Sequence, residues 1–143
     1  MKKAFNLVFK LSLVLCMSFS LFGALVGCQN QAMADGDYID LTTLGSTMVY
    51  SQVFDMVSNP ANYTGKTVKA NGRCGIYYDD STGTSYYAVV IQDATACCAQ
   101  GIEFVLTSGN YPNEGNPIVV EGIFGTYVEG GVTYCVLNSA TLL

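Results

Sequence analysis

The side chains best suited to chemistry in this sequence are its six cysteines, and their positions sort them into three groups. Cys16 lies inside an apolar amino-terminal run, Cys28 closes that run, and Cys74, Cys97, Cys98 and Cys135 lie far beyond it. Histidine and tryptophan are absent from all 143 residues. That absence excludes Ser-His-Asp and Cys-His catalysis, His-ligated zinc hydrolases and His-ligated haem. Cys97 and Cys98 are adjacent. On an extended strand they would point to opposite faces, whereas in a turn both thiols can converge. Ala94-Thr95-Ala96 before them and Ala99-Gln100-Gly101 after them supply the small residues of such a connection. A direct bond between them would close a strained ring with a distorted peptide.

Three readings of the four distal cysteines follow. An even count in an exported domain reads as structural disulfides, or as inert buried thiols. Convergent thiolates at Cys97 and Cys98, completed by Cys74 and Cys135, would give Zn2+ or Cu+ a soft site. The spacing lacks the paired Cys-x-x-Cys knuckles of a zinc finger. A thiol redox pair is the third reading, with neither a Cys-x-x-Cys nor a histidine to lower a thiol pKa.

Other candidates carry less. Tyr77-Tyr78 and Tyr86-Tyr87 could stack bases or sugar rings, but tyrosine is common on strands for packing reasons alone. Asp79 and Asp80 offer two carboxylates toward calcium, and in a hairpin they read as solvated turn residues. Lys66, Lys69 and Arg73 are too few to hold an anionic headgroup alone. From Cys28 onward three basic residues face eleven acidic ones, a formal net charge of −8. Nucleic acid is therefore not an expected partner, because affinity for phosphate backbones rests on Lys and Arg.

The elements that must position these residues begin with a targeting segment. Lys2, Lys3 and Lys10 form a positive region, and Leu11 to Val26 is a mostly apolar run of sixteen residues. A bilayer-spanning helix needs about 20, so the run fits a secretory signal peptide. It ends in Leu25-Val26-Gly27-Cys28, which resembles the bacterial lipobox. The resemblance implies cleavage after Gly27 and lipidation of Cys28, with residues 1–27 as a lipoprotein signal peptide. Two acyl chains give stable anchoring, which places the protein on the extracytoplasmic face of a bacterial membrane. Residues 28–43 are polar and acidic without a sustained period and read as a tether.

Residues 44–143 read as one domain. Ser46 is the expected N-cap of a helix whose Val49, Val53, Met56 and Val57 share a face, stopped at Asn59-Pro60. Alternation predicts strands from Val68 to Ile76, Tyr86 to Gln92, Ile102 to Thr107, Pro117 to Val128 and Val132 to Leu137. Asp79 to Gly83 and Glu129-Gly130-Gly131 are hairpin connections. Gly72 and Gly122 fall inside strands, where glycine permits the bend at a barrel corner. The expected fold is mainly β, a small five-stranded OB-like barrel with one N-terminal helix. The usual helix between strands three and four gives way to a loop at Gly109–Asn116, which leaves an SH3-like or open sandwich arrangement as alternatives.

The stretch from Asn59-Pro60 through Tyr63-Thr64-Gly65-Lys66-Thr67-Val68 to Gly72 resembles the start of many extracytoplasmic OB-type domains. Ile91-Gln92-Asp93-Ala94-Thr95-Ala96-Cys97-Cys98-Ala99 resembles a group of bacterial lipoproteins and, more distantly, the C-terminal domain of YcgQ-type membrane proteins. The resemblance implies a Cys-Cys pair after the second strand and no settled activity. With no nucleophile–base pairing and no phosphate loop, the expectation is a non-enzymatic binding or accessory module. A metal ion or a membrane protein is its expected partner.

Overall fold

The computed structural model describes residues 36–143; the expected signal peptide, Cys16, Cys28 and the first part of the expected tether lie outside them. The described residues form six strands in one sheet and one α-helix: β1 (Tyr38–Asp40), α1 (Ser46–Ser58), β2 (Thr67–Asp79), β3 (Thr84–Gln92), β4 (Ala99–Leu106), β5 (Pro117–Glu129) and β6 (Val132–Leu142). Among the described residues no helix is long and apolar enough to cross a membrane.

The five strands expected from alternation are all present, and β1 is an addition. It lies in the segment read as tether, pairs in parallel with Thr67–Lys69 of β2, and leads into a turn of 3-10 helix at Leu41–Thr43. Ile39 and Leu41 are both buried. The folded unit therefore starts before residue 44, and the tether is shorter than 28–43. Asp40 fixes this entry by accepting from the backbone N–H and the hydroxyl of Thr42.

Sheet order is β1-β2-β3-β4-β6-β5, and β2 also pairs with β5. One long strand serves both neighbours: Thr67 to Arg73 of β2 pair with β5, and Arg73 to Asp79 pair with β3. Gly72 sits beside this change of partner, and a Cβ there would lie 2.4 Å from the Val90 carbonyl oxygen. Only glycine lets the strands approach so closely. Gly122 lies where the β5–β6 register shifts between Glu121 and Ile123. A Cβ on it would approach Leu137 Cβ and the Asn138 carbonyl oxygen at 3.0 Å.

The core lies between the inward side chains of the sheet and α1. Val68, Ala70 and Cys74 alternate inward on β2, Val89 and Ile91 on β3, Ile102 and Phe104 on β4, and Val120 and Phe124 on β5. Val49, Val53 and Met56 turn the buried face of α1 toward β3 and β4. Gly45, not Ser46, is the N-cap, and no side chain caps the first turn. Serine's expected advantage there is unused because the helix begins one residue earlier than the pattern suggested, which makes Ser46 its first residue. Asp55 accepts from Asn59 and Tyr63, which ties the end of the helix to the following turn.

The hairpins follow turn chemistry. Asp79 accepts from the Ser81 N–H at 2.8 Å and from its hydroxyl at 2.7 Å, and Gly83 has φ +70°. Gly130 and Gly131, at φ +57° and +82°, join β5 to β6 as a two-residue hairpin requires. β6 runs five residues beyond its expected end. Ser139 there has φ +52°, which breaks the alternation while Ala140 remains buried opposite Leu106 of β4.

Candidate functional site

The connection from β3 to β4 is a tight loop organised by Asp93. Its carboxylate Oδ1 accepts from the Cys97 N–H at 2.9 Å and from the Cys98 N–H at 3.4 Å. Oδ2 accepts from the Thr95 hydroxyl at 2.9 Å and faces the Cys97 thiol at 3.3 Å. Backbone bonds from Ala96 N–H to the Asp93 carbonyl and from Asp93 N–H to the Cys98 carbonyl, both 3.0 Å, close the turn. Ala96 takes φ +54°, a conformation that L-residues other than Asn and Asp rarely adopt. Small residues around the cysteines permit this turn, and the turn brings adjacent side chains to one side.

Cys97 Sγ and Cys98 Sγ lie 3.7 Å apart, well beyond the roughly 2.05 Å of a disulfide. Both are exposed free thiols. The ligand atoms of Asp93, Cys97 and Cys98 all lie within 4.8 Å of one another, the sole such group of three or more among the described residues. Two sulfurs each about 2.3 Å from a tetrahedral zinc stand about 3.8 Å apart. The thiols already hold nearly that separation.

The other two candidate sulfurs do not join them. Cys74, 2% exposed in the core, directs its thiol toward the carbonyls of Gly75 and Pro112. Cys135 sits half-buried on β6 opposite Thr126 of β5. The four described distal cysteines are free thiols, Cys74 a buried one, and among them only Cys97 and Cys98 converge, without Cys74 and Cys135. Their separation follows from strand register, because Cys74 and Cys135 belong to strands whose inward positions are fixed by the core. Asp93 is the neighbour that cysteine spacing alone missed. Its signal was the Asp-x-Thr turn two residues before the cysteines.

Three of the four distal thiols are pushed up rather than activated. Burial pushes the thiols of Cys74 and Cys135 above their ordinary range. The Cys98 thiol is also raised, first by its contact with Cys97. A reactive thiol needs the opposite shift. Asp93 is held below its ordinary value of 3.8, first by the Thr95 hydroxyl and then, against a smaller desolvation effect, by the Cys97 and Cys98 groups. The hydrogen-bonded carboxylate therefore favours the folded loop above that ordinary value, and the contribution is lost as pH falls through the depressed one. Thr95→Ala is expected to move the Asp93 titration, followed by carbon-detected NMR, upward toward 3.8. An unchanged titration would show that the hydroxyl does not hold the carboxylate.

The weaker candidates have structural roles. Tyr87 stacks on Tyr111 with ring centroids 3.9 Å apart, while Tyr86 lies beside Tyr77 on the other side of the sheet. Asp79 caps its hairpin. Lys66 lies over the Tyr63 ring, and Arg73 donates to the Gly115 carbonyl. Comparison with protein families and with curated proteins returned no match to this chain, so the reading of the site rests on its own geometry.

Proposed function

We propose that this protein is a lipid-anchored, extracytoplasmic binding module in which Asp93, Cys97 and Cys98 hold a soft metal ion, zinc or Cu(I). The observation that carries the metal reading is the Cys97–Cys98 sulfur separation of 3.7 Å beside the Asp93 carboxylate. Three protein ligands leave a tetrahedral zinc with one open position. Because both thiols are exposed, that position would be open to water or to a group of a membrane-protein partner. In this reading the sheet is an OB-type barrel: the β2–β5 pairing joins the ends of the run β2-β3-β4-β6-β5, and the parallel β4–β6 pair fits that order. The role is binding rather than turnover: the carboxylate beside the Cys97 thiol is Asp93, which is held below its ordinary value and is a weak base for a thiol. Its relationship to Cys-Cys lipoproteins remains part of the same proposal.

Metal and anchor are tested separately. Native mass spectrometry of the full chain in maltoside detergent is expected to show one zinc, lost with chelator, and thiols at Cys97 and Cys98 that alkylate only after chelation. Free alkylation without chelator, with no metal-dependent mass, overturns the metal reading. Labelled palmitate is expected to enter the wild type and not Cys28→Ser. Equal labelling of both overturns the anchor and leaves the metal result standing.

A further inference from the structure

Away from the Asp93 loop, a groove of about 700 Å³ runs over the sheet, within the size range of small-molecule sites. Its floor is made of small side chains that alternate with the buried ones: Gly75 on β2, Ala88 on β3 and Gly101 on β4. Gly75 has little latitude, because a Cβ there would meet Val90 Cγ2 at 2.8 Å. Two tyrosine pairs form the walls. Tyr77 and Tyr86 have centroids 6.2 Å apart, and Tyr127 and Tyr134 stack across β5 and β6 at 5.4 Å. Each pair carries a carboxylate. The Tyr86 hydroxyl donates to Glu129 Oε1 at 2.9 Å, and the Tyr127 hydroxyl donates to Glu103 Oε2 at 2.6 Å.

We infer that this groove binds a small organic ammonium ion, between the tyrosine faces and the carboxylates of Glu103 and Glu129. Cations are attracted to aromatic faces within about 6 Å of the ring centre, most strongly where water is reduced. Asp79 adds a third acid, and among the described residues no lysine or arginine lines the groove. Burial raises the Glu103 carboxyl, and Glu129 raises it further, against the opposing Tyr127 hydrogen bond. A positive ligand relieves both effects. The same charges disfavour phosphates and nucleotides. A sugar would compete with the Tyr86 and Tyr127 hydroxyls for the same carboxylate oxygens and would gain no charge attraction there. A lipid headgroup presents an ammonium too, but brings its phosphate against the same acids, so the free ion is the expected occupant.

Choline and its uncharged isostere 3,3-dimethylbutan-1-ol are the probes, titrated into the full chain in maltoside detergent and followed by NMR. Choline is expected to saturate and to bind about tenfold more tightly than the isostere. Glu103→Gln and Tyr134→Leu are each expected to weaken choline binding several-fold, with thermal melts run on the same samples. Tyr134 is 43% exposed, so its variant keeps the test decisive where Glu103→Gln alters folding. Dihexanoylphosphatidylcholine below its micellar concentration is expected to bind more weakly than choline. Equal affinity for choline and the isostere, no saturation by choline, or wild-type affinity in Tyr134→Leu would overturn the inference. Tighter binding of the short-chain lipid would overturn the assignment to a free ion.

Discussion

Phe104→Ala is expected to remove about 3–5 kcal/mol of folding stability, the cost of truncating a buried phenylalanine. Phe104 is 1% exposed and lies on β4, which pairs with β3 on one side and β6 on the other. Its ring neighbours Tyr87 at 6.3 Å and Tyr111 at 5.9 Å. The Tyr111 hydroxyl accepts from the Leu106 N–H, so the loop after β4 is seated on the same aromatic cluster. Truncation leaves a void that neither strand pairing nor loop can close without breaking those contacts. Domains of this size have about 5–15 kcal/mol in total, and 1 kcal/mol moves the melting temperature by about 4–8 °C. A fall of at least roughly 12 °C is therefore expected. Val105, the next residue, is 46% exposed on the opposite face, and Val105→Ala should change stability by no more than about 0.5 kcal/mol. Equal losses at the two positions would show that the alternation of β4 does not build the core.

That alternation is also why most of the sheet was legible in the sequence. Ile102, Phe104 and Leu106 repeat every second residue, and Gly72 and Gly122 mark places where neighbouring backbone leaves no room for a Cβ. Period and glycine placement are local signals, so they survive without coordinates. β1 was not legible because three residues are too short to show a period. Its stability comes from parallel pairing with a strand about thirty residues away in sequence, together with the burial of Ile39 and Leu41. The end of β6 was hidden for another reason: Asn138-Ser139 reads as a break, although the strand continues through Ser139 to Ala140. The convergence of Cys97 and Cys98 could be read from the small residues around them. The exclusion of Cys74 and Cys135 could not, since it depends on how five strands register against one another.

Zinc is expected to stabilise the wild-type chain against heat, and Cys97→Ser and Cys98→Ser are each expected to lose that effect. A ligand bound only by the folded state adds about 2.7 kcal/mol at one hundred times its Kd, which is roughly 10 °C or more for a domain of this size. Both cysteines are exposed and make no core contact, so the serine variants should melt near wild type in chelator. Asp93 needs a finer test because it does two things. Oδ1 holds the backbone N–H groups of Cys97 and Cys98, and Oδ2, beside the Cys97 thiol, is the oxygen that would be left for a metal. Asp93→Asn preserves a carbonyl oxygen for the N–H groups and removes the charge. Its melting temperature in chelator should stay close to wild type, while the zinc needed for half-maximal stabilisation rises by at least roughly tenfold, since even outer partners of metal ligands cost that much. Asp93→Ala removes both roles and should also lower stability without zinc. A loop serving only as a turn predicts the same pattern in chelator, with Ala destabilising and Asn not, but no effect of zinc on wild type or on either variant. A redox pair predicts a third pattern, in which zinc is inert and oxidant alters the melt of wild type but not of either serine variant. The metal reading requires the zinc response to follow the two sulfurs and the Asp93 charge together, because among the described residues those three groups alone share the ligand geometry.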